Sequence, residues 1–184
     1  RRVSMMTSYQ SSRLGRLWAG WRKQYVSGKV NTGDSGHRNK TVFENIFESS
    51  QGPHVDNYII WEGEHCAAVL NRFPYVSGHI LVLPKRKVSD LLELSHDEYL
   101  ELWEGVRLAV IAIKKAYGPD GVNIGVNIGE AAGASIPDHV HVHCLPRWKG
   151  DTTFLTSVAE TRMIPETLSS SWENLCEHWP ESVA

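Results

Sequence analysis

Histidines 139, 141 and 143 fall at alternate positions in His139-Val140-His141-Val142-His143-Cys144, a spacing that sets three imidazoles on one face of an extended strand. Like positions on a strand recur about every 6.8 Å, twice the rise per residue, so the row is scaled to cradle one phosphate group. A neutral imidazole is a good nucleophile near pH 7, whereas a protonated one has no lone pair to attack with. Crowding favours the neutral form, because a cationic imidazole disfavours protonation of the next. Metal binding is the competing chemistry, since two histidines one residue apart on a strand also suit zinc. Residue type and spacing alone leave nucleophile and metal ligand as live alternatives.

The elements that must position these side chains are legible nearby. In Val122 to Gly129, Val122, Ile124, Val126 and Ile128 share one face while Asn123, Gly125, Asn127 and Gly129 share the other, which predicts a strand with one dry and one polar side. The run His139 to Cys144 predicts a second such strand. Short apolar runs at Asn57 to Trp61, His65 to Asn71 and His79 to Pro84, separated by Gly, Pro and Ser, predict three more. Tyr99, Trp103, Val106, Val110, Ile113 and Tyr117 recur at steps of four and three and form one helical stripe. That helix is expected to start at Ser95, an N-cap residue, and to stop at Gly118-Pro119, because proline disfavours helical geometry in the residue before it. A last helix is expected over Pro165 to Trp179. Alternation with one polar face points to an antiparallel sheet with helices on a single side and the histidine face left open. The fold class is therefore α+β: about five antiparallel strands, a long helix on one face and a C-terminal helix.

Composition bounds the rest. A chain of 184 residues suits one domain, since this length buries roughly 70% of the unfolded surface around a single core. Hydrophobic residues at 41% and charged residues at 22% are ordinary globular usage, which argues against disorder and coiled coil. The formal charge of -2 supplies no general attraction for a nucleic-acid backbone. Three cysteines, far apart and odd in number, support neither a disulfide framework nor a zinc ribbon and fit a cytoplasmic protein. No apolar run approaches the roughly 20 residues of a membrane span, and the N-terminus lacks a signal-peptide core. Residues 1–12 are set apart as a flexible N-terminus. Residues 13–184 read as the single domain, opening with a basic-aromatic segment from Arg13 to Tyr25 and a surface loop over 27–40.

His139-Val140-His141-Val142-His143-Cys144-Leu145 resembles the motif of the histidine-triad superfamily: His, apolar, His, apolar, His, apolar, apolar. Asn71-Arg72-Phe73-Pro74-Tyr75-Val76-Ser77-Gly78-His79-Ile80-Leu81-Val82-Leu83-Pro84 resembles that superfamily's nucleoside-binding segment, in the right order ahead of the triad. Leu17-Trp18-Ala19-Gly20-Trp21-Arg22 and Pro146-Arg147-Trp148 look most like bacterial diadenosine tetraphosphate phosphorylases and their hydrolase relatives. The resemblance implies an enzyme that cleaves a dinucleoside polyphosphate at its α-phosphate, with His141 forming a covalent nucleotidyl-histidine. It implies that His139 and His143 bind phosphate oxygens and manage protons, and that His79 sits beside them and fixes their tautomers. It further implies that Asn71 binds the ribose and that Asn127, Gly133 and Ser135 contact phosphate. Trp148 is a candidate to stack on an adenine or a partner subunit, although an aromatic after Pro146 is more often simple packing. Ala134 departs from a glycine in the phosphorylase pattern. Hydrolysis and phosphorolysis therefore both stand, beside other nucleotidyl substrates such as phosphoramidates, a metal-dependent enzyme on the histidine strand, and a non-catalytic nucleotide sensor. The implied partners are a small nucleotide and a second copy of the chain, with no nucleic acid and no membrane. No cofactor and no resident metal are required, a divalent metal serving at most as the substrate's counter-ion. Lys85, Arg86 and Lys87 read as a solvated loop, and Cys66 as a small hydrophobe in a strand.

Overall fold

The computed structural model describes residues 40–49, 52–151 and 165–181. The expectations for residues 1–12, for Arg13 to Tyr25 and for all but the last residue of the 27–40 loop lie outside the described residues. Helix α1 spans Val42–Ser49, and strands β1 (Ile59–Glu62), β2 (Cys66–Leu70) and β3 (Ile80–Pro84) follow. After helix α2 (His96–Tyr117) come β4 (Gly121–Val126), β5 (Val142–Arg147) and helix α3 (Leu168–Glu177). The five strands form one antiparallel sheet in the order β1-β2-β3-β5-β4. Among the described residues no helix is long and apolar enough to cross a membrane.

Every residue of β2 and β3 is buried, and alternate side chains serve two different cores. Ala68, Leu70, Ile80 and Val82 join Val142 and Cys144 beneath Leu102, Val106, Ala109 and Ile113 of α2 and Leu175 of α3. Val69, Leu81 and Leu83 point the other way, with Ile59, against Phe43 of α1, and Ile46, Phe47 and Ile136 pack around them. The expectation of an open second face is thus corrected. The polar alternation that suggested it belongs to β4 and β5, whereas Cys66-Ala67-Ala68-Val69-Leu70 and Ile80-Leu81-Val82-Leu83 are the unbroken apolar runs of strands covered on both sides.

Helix α2 begins and ends where expected. Ser95 accepts from the Glu98 amide while the Glu98 side chain returns to the Ser95 amide, and Gly118 closes the helix in the left-handed region at φ 52°. Its buried face is displaced, however. Leu102, Gly105, Val106, Ala109, Ala112 and Ile113 are buried, while Tyr99 and Trp103 remain 45% and 37% exposed. At about 100° per residue this is roughly a quarter-turn from the predicted stripe. Gly105 shows why: a Cβ there would stand 2.9 Å from Val82 Cγ1 and 3.0 Å from Trp61 Cζ3. The helix lies on the sheet along its small residues, and the large ones flank that line.

Helix α3 is shorter than expected, capped by Thr167, and tied to β1 by Trp172 Nε1 donating to the Ile59 carbonyl at 2.8 Å. Strand β4 is an edge strand, so its apolar side is not dry: Ile124 and Ile128 are 49% and 40% exposed. Strand β5 starts at Val142, later than predicted, which leaves His139 in a bend and His141 on the residues that lead into the strand. Its ladder with β3 begins at the Val82–Val142 pair, and Val140 donates instead to the Val88 carbonyl beyond the end of β3.

Candidate functional site

The sheet register carries the histidine cluster. Ile59, Val69, Leu81, His143 and Gly125 form one row across the five strands, so His143 projects from the face opposite α2. His79 immediately precedes β3, after Gly78 at φ +74°, where a Cβ would also collide with the Tyr117 ring at 2.5 Å. Its Nε2 lies 2.9 Å from His143 Nδ1. The Tyr75 amide donates to His79 Nδ1 at 3.2 Å, with Asn71 Nδ2 at the same distance from that nitrogen. A neutral His79 therefore carries its proton on Nε2 and gives it to His143 Nδ1, and the His143 proton sits on Nε2. His79 is thus hydrogen-bonded to His143.

His141 takes the opposite tautomer. Its Nδ1 lies 2.8 Å from the His139 carbonyl oxygen, which only accepts, so Nδ1 holds the proton and Nε2 keeps a lone pair. Burial pushes the His141 imidazole below its ordinary value, against a smaller opposing effect of the bond to His139. His139 is pushed down by burial as well, opposed by its bond to Pro84 and by the Glu44 carboxylate, and pushed further down by His141 and Lys87. Both shifts favour the neutral form of these two imidazoles.

The cluster is more enclosed than the sequence suggested: His79 and His139 are fully buried, and His141 and His143 are 3% and 8% exposed. Phe43 lies against His139 and His141, with ring centres 5.2 and 5.7 Å away, and Tyr75 stacks on His143 at 5.9 Å. His141 and His143 meet edge to face at 4.9 Å. Among the described residues no three His, Cys, Asp or Glu side chains converge to hold a metal ion.

The remaining predicted residues divide. Asn71 directly follows β2 and lies beside His79, its Oδ1 accepting from the Phe73 amide at 3.0 Å. Asn127 stands one residue past the Val126–Val142 pair, abreast of His141, with Nδ2 3.5 Å from the Gly133 carbonyl. Gly133 adopts φ +88° in the loop that leads to exposed Ser135. Trp148 is not brought to the histidines. It lies five residues, roughly 16 Å of strand, beyond His143, and meets Tyr117 of α2 edge on at 6.4 Å. Asp138, next to His139, pairs with Lys87 at 3.0 Å. Lys85 pairs with Glu62 and Arg86 with Glu98, so the basic run is engaged in local ion pairs. Cys66 packs in β2 as expected, its thiol pushed up to about 12 by burial and by Glu101 and Glu98.

Thr41, Phe43 and Tyr75 are neighbours of the cluster that the sequence reading missed. The signal for the first two is present: Thr41-Val42-Phe43-Glu44 spells a capping box, and Phe43, Ile46 and Phe47 follow at helical spacing. The Thr41 amide donates to Glu44 Oε2 at 2.8 Å and the Glu44 amide to Thr41 Oγ1 at 3.3 Å. Tyr75 has no comparable sequence signal, since its position follows from the turn before Gly78.

Residues 53–150, just over half the chain, match the family described as HIT domain. The chain is 34% identical over 170 residues to an AP-4-A phosphorylase of Mycobacterium tuberculosis, covering 92% of this chain and 87% of that one. It is 37% identical over 97 residues, 53% of each chain, to the asymmetrical bis(5'-nucleosyl)-tetraphosphatase of Schizosaccharomyces pombe. The crystal structure of a hypothetical histidine triad nucleotide-binding protein from Sulfolobus tokodaii is similar with a TM-score of 0.60 at 31% identity, covering 75% of this chain and 91% of that one. With the family match running through the histidine strand itself, and the likeness to the mycobacterial phosphorylase running over most of both proteins, the chain belongs to the HIT domain family.

Proposed function

We propose that this chain cleaves dinucleoside polyphosphates of the diadenosine tetraphosphate type at the α-phosphate, by phosphorolysis or hydrolysis, through a nucleotidyl-histidine on His141. The observation that carries the reading is the Nδ1–H of His141 on the His139 carbonyl, which leaves the Nε2 lone pair as the attacking group. Attack by Nε2 forms the P–N bond and breaks the bridging P–O bond. The departing nucleotide leaves as its phosphate anion, and the Nε2–H of neighbouring His143 is a hydrogen-bond donor for that oxygen. Phosphate or water then attacks phosphorus and frees the imidazole. Asn71 would hold the ribose, and Asn127, Gly133 and Ser135 the phosphates. The reading needs no resident cofactor, a divalent metal entering only as the polyphosphate's counter-ion. The names of the mycobacterial phosphorylase and the yeast tetraphosphatase support this substrate class.

Two further readings accompany it. Among the described residues β4 is an outer strand of the sheet, with Ile124 and Ile128 half exposed beside it, which supports a homodimer built on that edge and is tested by sedimentation of the intact protein. Three cysteines, all free, support a reducing cytoplasm.

The test is to incubate diadenosine tetraphosphate with the enzyme, with and without inorganic phosphate, and identify the products. Phosphate-dependent ADP marks phosphorolysis, and AMP marks hydrolysis. His141→Ala is expected to abolish turnover while mononucleotide still binds, because the nucleophile is lost and most contacts remain. Wild-type turnover in that variant would end the proposal.

A further inference from the structure

The three imidazoles look equivalent in sequence but have different surroundings. His139 Nε2 lies 2.8 Å from the Pro84 carbonyl oxygen, an acceptor only, so that nitrogen carries a proton. His139 Nδ1 lies 2.7 Å from Thr41 Oγ1. The ring has no exposed surface, and Phe43 lies against it. Burial disfavours the imidazolium, so Nδ1 presents a lone pair and the Thr41 hydroxyl donates into it. Glu44 Oε2 is a rival acceptor for that hydroxyl, but at 3.4 Å it is too distant to compete. Thr41 is held in turn by the reciprocal cap of α1, and the other Glu44 carboxylate oxygen takes the Lys87 amide at 3.3 Å. Both nitrogens of His139 are thus committed to protein groups, while its main-chain carbonyl receives the His141 Nδ1–H.

We propose that Thr41 is a positioning residue for the nucleophile: by donating to His139 Nδ1 it holds His139 as the neutral Nε2–H tautomer between Thr41 and Pro84, so that the His139 carbonyl orients His141. This rests on the reading of His141 as nucleophile. It reassigns His139 from the role that the family resemblance implies. Its ring exchanges no proton with substrate and ligates no phosphate oxygen, and it serves through its main chain. The cap of α1 is thereby linked to the reacting nitrogen through two side chains.

The test compares wild type, Thr41→Val, Thr41→Ser and His141→Ala by steady-state kinetics on diadenosine tetraphosphate and by 15N NMR of the imidazoles. In wild type and Thr41→Ser, His139 is expected to show a protonated Nε2 and a bare Nδ1 from pH 6 to 8, with His141 the reverse. Thr41→Val removes the donor and should lose the His139 signature. Its kcat should fall about 10- to 100-fold, the scale of an ångström of misplacement, while KM stays within about twofold because no nucleotide contact is lost. Thr41→Ser should restore kcat. If Thr41→Val does not fold, Thr41→Cys, with a weaker donor, supplies the same comparison. Wild-type kcat in Thr41→Val, or a proton on His139 Nδ1 in the wild type, overturns the proposal. If instead the wild type cleaves no dinucleotide or His141→Ala retains turnover, the nucleophile reading fails, and the NMR arm still decides whether Thr41 sets the His139 ring.

Discussion

Glu98→Gln isolates one charge at the junction that seats α2 on the sheet. The Glu98 carboxylate accepts from Arg86 Nε at 2.5 Å and Nη2 at 2.8 Å, and from the Ser95 amide at 2.7 Å, so it ties the segment after β3 to the start of the long helix. Arg86, first, and then Ser95 hold the carboxyl down to about 2 against an ordinary 4.5, with burial opposing them. Through linkage that drop corresponds to about 3 kcal/mol. The Arg86 side chain is 52% exposed, however, and water screens the pair. Glutamine keeps an acceptor for Ser95 and loses only the charge, so the expected cost near pH 7 is about 1–2 kcal/mol, the gap between charged and neutral hydrogen bonds. The sign follows from the depressed value: the contribution is complete above pH 4.5 and is lost as pH falls towards 2. Urea denaturation of both proteins from pH 7 to pH 3 measures it, and the difference should shrink steadily below pH 4.5. A difference that is absent at pH 7, or unchanged at pH 3, would refute the assignment of this energy to the Arg86–Glu98 charge pair.

Gly105→Val should cost about 1–3 kcal/mol, because its Cβ would already stand too close to Val82 and Trp61 where α2 meets the sheet; a urea midpoint equal to wild type would mean that the helix is not seated there. The two buried histidines with lowered values, His139 and His141, make stability fall as pH drops below 6.5, since the unfolded chain takes up those protons first. The acid limb of kcat/KM should accordingly lie below 6.5, and a limb above it would contradict the burial of the nucleophile.

Several features were set by local sequence and needed no tertiary information. Ser95 and Gly118 bound α2 because capping is chemistry between near neighbours, and the alternate spacing of the three histidines is likewise local. What the sequence could not express was the direction each of these faces. Tyr99 and Trp103 are bulky members of the predicted stripe, yet Gly105, Ala109 and Ala112 meet the sheet beside Val106, since close packing selects by shape where periodicity weighs only apolarity. Helix α1 covers a face that looked open, because its partners Val69, Leu81 and Leu83 lie on strands distant in sequence.

At the site the same division holds. Sequence alone set histidines 139, 141 and 143 at alternate positions and made nucleophile or metal ligand their live choices. Only the tertiary structure distinguished the three. A histidine's tautomer is decided by what its two nitrogens meet, and those partners are Thr41 and Pro84 for His139, the His139 carbonyl for His141, and His79 for His143.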